Sequence, residues 1–184
     1  MRHAKCTFDE DRGCKKCIRA TGASKMDDLH LTVFHSGYGR GRLIDALQTQ
    51  ALIRDEDMAI EVAKRVKVEE VPSGVTLISQ GASDTDLFFI LNWEFSIVRN
   101  GRVIARKNGG EQVGEMAVVD PIRCRFASVI AASDSVVARI SEFDFSAIAD
   151  RFPRMWRRIA MELAQRLRNE EAGTRERDGA ERAA

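Results

Sequence analysis

The hydrophobic positions of this chain change their period twice. Over GRGRLIDALQTQALI the apolar residues Leu43, Ile44, Leu47 and Leu52 recur at helical spacing. Over DEDMAIEVAKRV they continue as Met58, Ile60, Val62 and Val66, with acids first and bases last, the order a helix macrodipole favours. From about Val66 the pattern shortens. VKVEEV, VTLISQ, DLFFIL, FSIVRN, RVIARK, ASVIAAS and SVVARI are short runs rich in β-branched and aromatic residues. Turn signals separate them: PSG at 72–74, GASD at 81–84, NG at 100–101 and NGG at 108–110. Asn100-Gly101 between two such runs predicts a two-residue hairpin. Many short strands with no long helix between them predict a mainly β sandwich or barrel rather than a βαβ fold.

Helices are expected again at the end. Ser141 followed by Asp144 resembles a capping box opening SEFDFSAIADRF, and Pro153 suits the first turn of a second helix. In that second helix Trp156, Ala160, Leu163 and Leu167 form one apolar stripe, expected to pack on the β-region. The chain therefore divides into a flexible extension (1–35), N-terminal helices (36–66), a β-domain with its C-terminal helices (67–170) and a disordered tail or linker (171–184).

Composition narrows the function classes. The 184 residues are 44% hydrophobic and 31% charged, enough for one globular core with extra segments. Basic residues number 29 and acidic residues 28, a net charge of +1, which argues against direct nucleic-acid binding or a polybasic membrane anchor. No apolar run has the length of a membrane span and the N-terminus lacks a signal-peptide core, so a cytoplasmic location is expected. Cys14-x-x-Cys17 is half of a zinc site, which Cys6 with His3 or His30 would complete. The seven-residue gap after Cys6 is not a familiar zinc spacing, and an extension upstream of a start at Met26 is the plainer reading. Cys124 reads as an ordinary small residue at a strand end. All three histidines lie before residue 36, which disfavours a metal-dependent enzyme built on a β-roll.

The stretch GEMAVVDPIRCRFAS, Gly114 to Ser128, carries the chemistry. Gly114 ends an extended segment and EMAVV makes a helical turn, whose free N–H groups suit an anion. Arg125 returns on the next strand, where its guanidinium can pair with a phosphate at two points. Glu115 only accepts hydrogen bonds, and a carboxylate repels phosphate, so sugar hydroxyls are its natural partners. Together they point to a phosphorylated sugar, and the absence of a base or metal ligands points to binding without chemistry, a regulator and not an enzyme. The plain alternative for Glu115 and Arg125 is a structural ion pair.

Residues 66–168 resemble the cyclic nucleotide-binding domain, the sensor of bacterial catabolite activators, cyclic-nucleotide-dependent kinases and gated channels. QGASDTDLFFIL resembles its glycine turn and strand pair, and GEMAVVD with RFAS resembles its phosphate-binding cassette. The resemblance implies an eight-stranded antiparallel β-roll, jelly-roll-like, with N-terminal helices, a short cassette helix and two C-terminal helices. It also implies roles: Gly114 and Glu115 to the ribose, Arg125 with the backbone N–H groups of Met116 and Ala117 to the cyclic phosphate, and Phe126, Ala127 and Ser128 beside phosphate or base. A narrower resemblance joins GRGRLIDALQTQALI, GEMAVVDP and FSAIADRFPRMWRRIAMELAQRL to the sensor part of Pycsar-type anti-phage effectors, which carry a TIR or membrane effector. It implies cUMP or cCMP as ligand, and the wider family cAMP. No cofactor is expected, a homodimer is compatible, and the effector or partner lies outside this chain. The runner-up is a degenerate roll used for protein interaction or assembly.

Two positions depart from the family pattern. Trp93 stands where a glycine is usual, and a positive φ there would cost a tryptophan ~1–3 kcal/mol. Phe126 stands where a small residue usually follows the arginine; core packing is its expected role and base stacking the alternative.

Overall fold

The computed structural model describes the backbone of residues 39–182 and the side chains of residues 39–169. The Cys6, Cys14, Cys17, His3 and His30 set and the N-terminal extension lie outside the described residues. Two helices open the structure, α1 (Gly39–Gln48) and α2 (Glu56–Ala63). The Asp55 side chain caps α2 by accepting from the Asp57 N–H at 3.0 Å.

Eight strands follow: β1 (Lys67–Val71), β2 (Thr76–Ile78), β3 (Leu87–Ile90), β4 (Glu94–Arg99), β5 (Arg102–Asn108), β6 (Gln112–Val113), β7 (Ser128–Ala131) and β8 (Ser135–Ile140). They form two four-stranded sheets, ordered β1-β8-β3-β6 and β2-β7-β4-β5, with every pairing antiparallel. The short helix α3 (Glu115–Val119) leaves the first sheet, and α4 (Glu142–Arg151) and α5 (Arg154–Arg182) close the chain. Flanked by helices at both ends of the chain, the two sheets make the expected β-roll.

The continuous apolar run LFFI in β3 follows from its position, with both faces buried. Leu87 and Phe89 join the cluster under the helices, with Leu47, Met58, Phe145, Met155 and Ile159. Phe88 and Ile90 turn the other way, into the space between the sheets, with Phe95, Val113, Val129 and Val137. Each such side chain contributes on the order of 1.5–3 kcal/mol by leaving water. At the Asn100-Gly101 hairpin both residues have positive φ, 52° and 75°, as a primed turn demands. Ser141 caps α4 as expected, accepting from the Asp144 N–H at 3.1 Å.

Two features differ from the sequence expectation, and a third settles a position it left open. First, α5 runs unbroken to Arg182, through the segment after residue 170 expected to be a disordered tail or linker. That segment, rich in Glu, Arg and Ala, has little to bury but good intrinsic helix propensity, and it continues an existing helix without a new nucleation cost. Second, the face α5 turns to the roll is rotated by about one residue. Met155 and Ile159 are fully buried, Trp156 and Leu163 pack at the edge of the same cluster, and Ala160 and Leu167 are exposed. Third, Trp93 takes the left-handed φ of 60° that the family glycine would, and keeps it with its side chain half exposed.

Candidate ligand-binding site

The cassette is built around Gly114. Its φ of 94° is one that glycine adopts freely, and a Cβ there would lie 2.7 Å from the Asp86 carbonyl oxygen and 2.9 Å from Arg125 Nη1. Only glycine lets the β6–α3 turn approach the arginine this closely. Ala117, buried in α3, donates its N–H to the Gly114 carbonyl at 3.2 Å, while the Met116 side chain is exposed.

Arg125 is buried and extensively held. Its Nε donates to Asp84 Oδ2 at 3.0 Å and its Nη2 to the same oxygen and to the Asp86 carbonyl at 2.7 Å. Its Nη1 reaches the Gly114 carbonyl at 3.3 Å. The Asp86 side chain is fixed in turn by Arg139, whose Nε donates to it at 2.6 Å. The backbone locks the same corner: Gly81 N–H donates to the Arg125 carbonyl at 2.8 Å and Arg125 N–H to the Ala82 carbonyl at 2.7 Å. The guanidinium is thus oriented from its Nε and Nη2 side, and Nη1 carries the least committed donors.

Glu115 is equally buried, but its partner lies elsewhere. Its Oε1 accepts from Arg166 Nη1 on α5, and its Oε2 has no hydrogen-bond partner among the described residues. Glu115 and Arg125 are therefore not an ion pair with each other. Arg166 also donates to Glu162 Oε1 at 2.8 Å. Glu162 receives Lys107 Nζ at 3.0 Å and the Gln112 side-chain amide as well, and Lys107 reaches Glu111 at 2.9 Å. This charged network ties α5 to the ends of β5 and β6 and to the cassette.

The electrostatics of the network are mutual. Burial pushes the Glu162 carboxyl up, but Lys107 and Arg166 outweigh it and hold the carboxyl below its ordinary value. Burial likewise lowers Lys107, yet the hydrogen bond to Glu111 and the charge of Glu162 leave it above the usual lysine range. Arg166 is raised, with Glu115 and Glu162 overcoming its desolvation.

The remaining predicted residues fall around this frame. Ala127 is buried. The Ser128 hydroxyl accepts from the Gln80 N–H at 2.9 Å, so it anchors the β2–β3 turn. Phe126 does not enter the core: it is 38% exposed, with the Arg99 guanidinium carbon 3.9 Å above its ring. One residue between two arginines, on a short bend before β7, has no apolar layer to join.

Sequence reasoning missed Asp84, Glu162 and Arg166. Asp84 passes for a turn residue in GASD. Glu162 and Arg166 lie three and seven residues beyond buried Ile159, so they continue the inward face of α5 in polar form. A search for apolar stripes stops where that face becomes charged.

Residues 68–152 match the family model of the cyclic nucleotide-binding domain. That roll belongs to the cyclic nucleotide-binding domain family. Among similar proteins, the Pycsar effector protein XpPycTIR of Xanthomonas perforans is 39% identical over 135 residues, covering 73% of this chain and 45% of that protein. The Pycsar effector protein BcPycTIR of Burkholderia cepacia is 41% identical over 135 residues, with the same shares of 73% and 45%. The chain thus spans less than half the length of these curated relatives. Solved structures share the fold. The cAMP-bound PfPKA-R fragment superposes with a TM-score of 0.62 at 18% identity, covering 72% of this chain and 45% of that one. The Thermus thermophilus catabolite activator protein gives 0.59 at 25% identity, covering 65% and 57%. Among the described residues no helix is long and apolar enough to cross a membrane, and no group of three or more His, Cys, Asp or Glu could hold a metal ion.

Proposed function

We propose that this chain is a regulatory sensor that takes a 3′,5′-cyclic nucleotide monophosphate in the Gly114–Ser128 cassette and passes occupancy on through α5. The family membership of the roll supports the ligand class. One observation carries the relay: Glu115, the acceptor for the ribose hydroxyl, is the residue that holds Arg166 of the C-terminal helix. Its Oε2 is left for the sugar while Oε1 faces the helix. Ligand and helix then share one carboxylate, and by linkage whatever biases its position biases both. Arg125 offers Nη1 to the phosphate, with the Met116 amide and, once it releases the Gly114 carbonyl, the Ala117 amide, and Asp84 holds the guanidinium in register. Phe126, Ala127 and Ser128 complete the wall. The role proposed for the cassette is recognition without chemistry.

The likeness to Pycsar effectors supports a place in anti-phage defence, with cUMP or cCMP as the ligand; otherwise cAMP is the first candidate. The effector that reads α5 is a separate domain or partner.

Calorimetric titration of the chain with cAMP, cGMP, cCMP and cUMP tests binding. Trp156 emission in a Trp93→Phe background, with hydrogen exchange over residues 153–168, tests the relay. Saturable binding with a matching change at α5 is expected. Binding without such a change would leave a rigid binder.

A second reading has its own support. The acid Asp84 already neutralises Arg125, which suits a roll retained for protein interaction. The absence of heat with all four nucleotides would favour it.

A further inference from the structure

Arg99 ends β4, on the row that turns inward. Side chains alternate along a strand, so Phe95, Ile97 and Arg99 share one face. Phe95 is fully buried between the sheets and Ile97 packs against the same cluster, which places Arg99 where that row reaches the rim. The hairpin tip just beyond it is tied to the phosphate corner. The Gln80 amide donates to Asn100 Oδ1 at 2.8 Å and accepts from the Asn100 N–H at 2.9 Å. The Gln80 N–H itself donates to Ser128, and the next residue, Gly81, is bonded to the Arg125 carbonyl. Arg99, Phe126 and Arg125 are therefore carried on one hydrogen-bonded unit.

The guanidinium of Arg99 sits 3.9 Å from the centre of the Phe126 ring. Among the described residues it has no hydrogen bond or ion pair. The ring orders one face of the guanidinium while its N–H donors stay unused, unlike those of Arg125.

We propose that the Arg99–Phe126 stack reads the nucleobase, selecting bases that carry a carbonyl oxygen over adenine. The assignment rests on the cyclic-nucleotide reading above. A guanidinium only donates hydrogen bonds. Guanine offers it O6 beside N7, and uracil and cytosine offer carbonyl oxygens. Adenine has no carbonyl and presents its amino group, another donor, where guanine has O6. Phe126 limits the conformations Arg99 must give up on binding, so the donors meet the base at low entropic cost. This use accounts for a large aromatic residue, left half exposed, directly after the phosphate arginine.

The test is calorimetric titration of the unaltered chain, Arg99→Ala, Phe126→Leu and Phe126→Tyr with cAMP, cGMP, cCMP and cUMP. The unaltered chain is expected to bind at least one carbonyl-bearing nucleotide about tenfold or more tightly than cAMP. Arg99→Ala should weaken that ligand about ten- to a hundredfold and change cAMP less than about threefold. Phe126→Leu should reproduce part of the loss, and Phe126→Tyr, which keeps the ring, should restore it. Tightest binding of cAMP, or an Arg99→Ala loss that is absent or equal across all bases, overturns the assignment and leaves the cyclic-nucleotide reading standing. Binding of none of the four by the unaltered chain overturns both.

Discussion

The two charged groups of the cassette are both buried, but they are held from different places. Arg125 is oriented by Asp84, the Asp86 carbonyl and the Gly114 carbonyl, all within the roll. Glu115 is held by Arg166, on a helix outside the roll. On the proposed reading, the phosphate end of the site is set from within the roll, and the sugar end by a helix packed outside it. A sensor needs both: one contact that fixes the ligand without rearrangement, and one whose partner responds.

The strongest way to break this contrast is Arg125→Ala. It removes the phosphate donor and leaves Asp84 without its partner, so the expected loss of affinity is ~2–5 kcal/mol, close to abolition in a calorimetric titration. An unchanged isotherm would remove Arg125 from the site. Next in size is Arg166→Ala. It leaves a buried carboxylate with no cation, which ligand hydroxyls would relieve, so affinity should rise by about fivefold or more while the ligand-linked signal at Trp156 disappears. A fall in affinity with the signal intact would show that Glu115 does not couple the two.

A smaller effect is expected at Glu162, the hub beneath Arg166. Glu162→Gln should lower stability by about 1–3 kcal/mol in a denaturant melt, mainly by leaving half-buried Lys107 underpaired. The same hub sets a pH dependence. Because the folded-state pKa of Glu162 is lowered, its contribution is fully present above its unfolded value and is lost as pH falls through the lowered one. Lys107 is raised, so its contribution disappears only as pH rises past the usual lysine range. Hydrogen exchange of α5 should therefore increase in acid before the roll itself opens, and Glu162→Gln should blunt that step. The smallest effect belongs to Arg123→Ala. That side chain is 85% exposed and, among the described residues, pairs with Asp120 alone, at 3.7 Å, so affinity should stay within about twofold. A large loss would shift the register of the cassette.

How much of this was legible in the sequence depended on whether a residue's role is local. The strands, the Asn100-Gly101 turn and the Ser141 cap are set by neighbours along the chain, and short-range chemistry locates them. The Gly114, Glu115 and Arg125 motif stood out because its residue types suit few other tasks, and the structure buries Glu115 and Arg125 around the Gly114 turn. The two-residue strand β6 was not legible, since Gln112 breaks its apolar pattern yet is buried by pairing with β3 and bonding to Glu162. Asp84 and Arg166 acquire their roles from partners 41 and 51 residues away, through contacts with no local signature. Phe126 was misjudged because its ring has a guanidinium for a neighbour in place of an apolar layer.

The unbroken course of α5 has a mechanical consequence. From Arg166 to Arg182 the helix rises about 24 Å at ~1.5 Å per residue. If the packed residue Ile159 acts as a fulcrum, a tilt of about 7° there moves Arg166 by about 1 Å and carries Arg182 through about 4 Å, on the order of one residue's spacing along a backbone. A tilt that moves the buried Met155 and Ile159 by less than about 1 Å would thus arrive at Arg182 as a change of position large enough to make or break a contact. The stiffness of a continuous helix would act as a gain, turning a shift of about 1 Å beside one carboxylate into a readable distance.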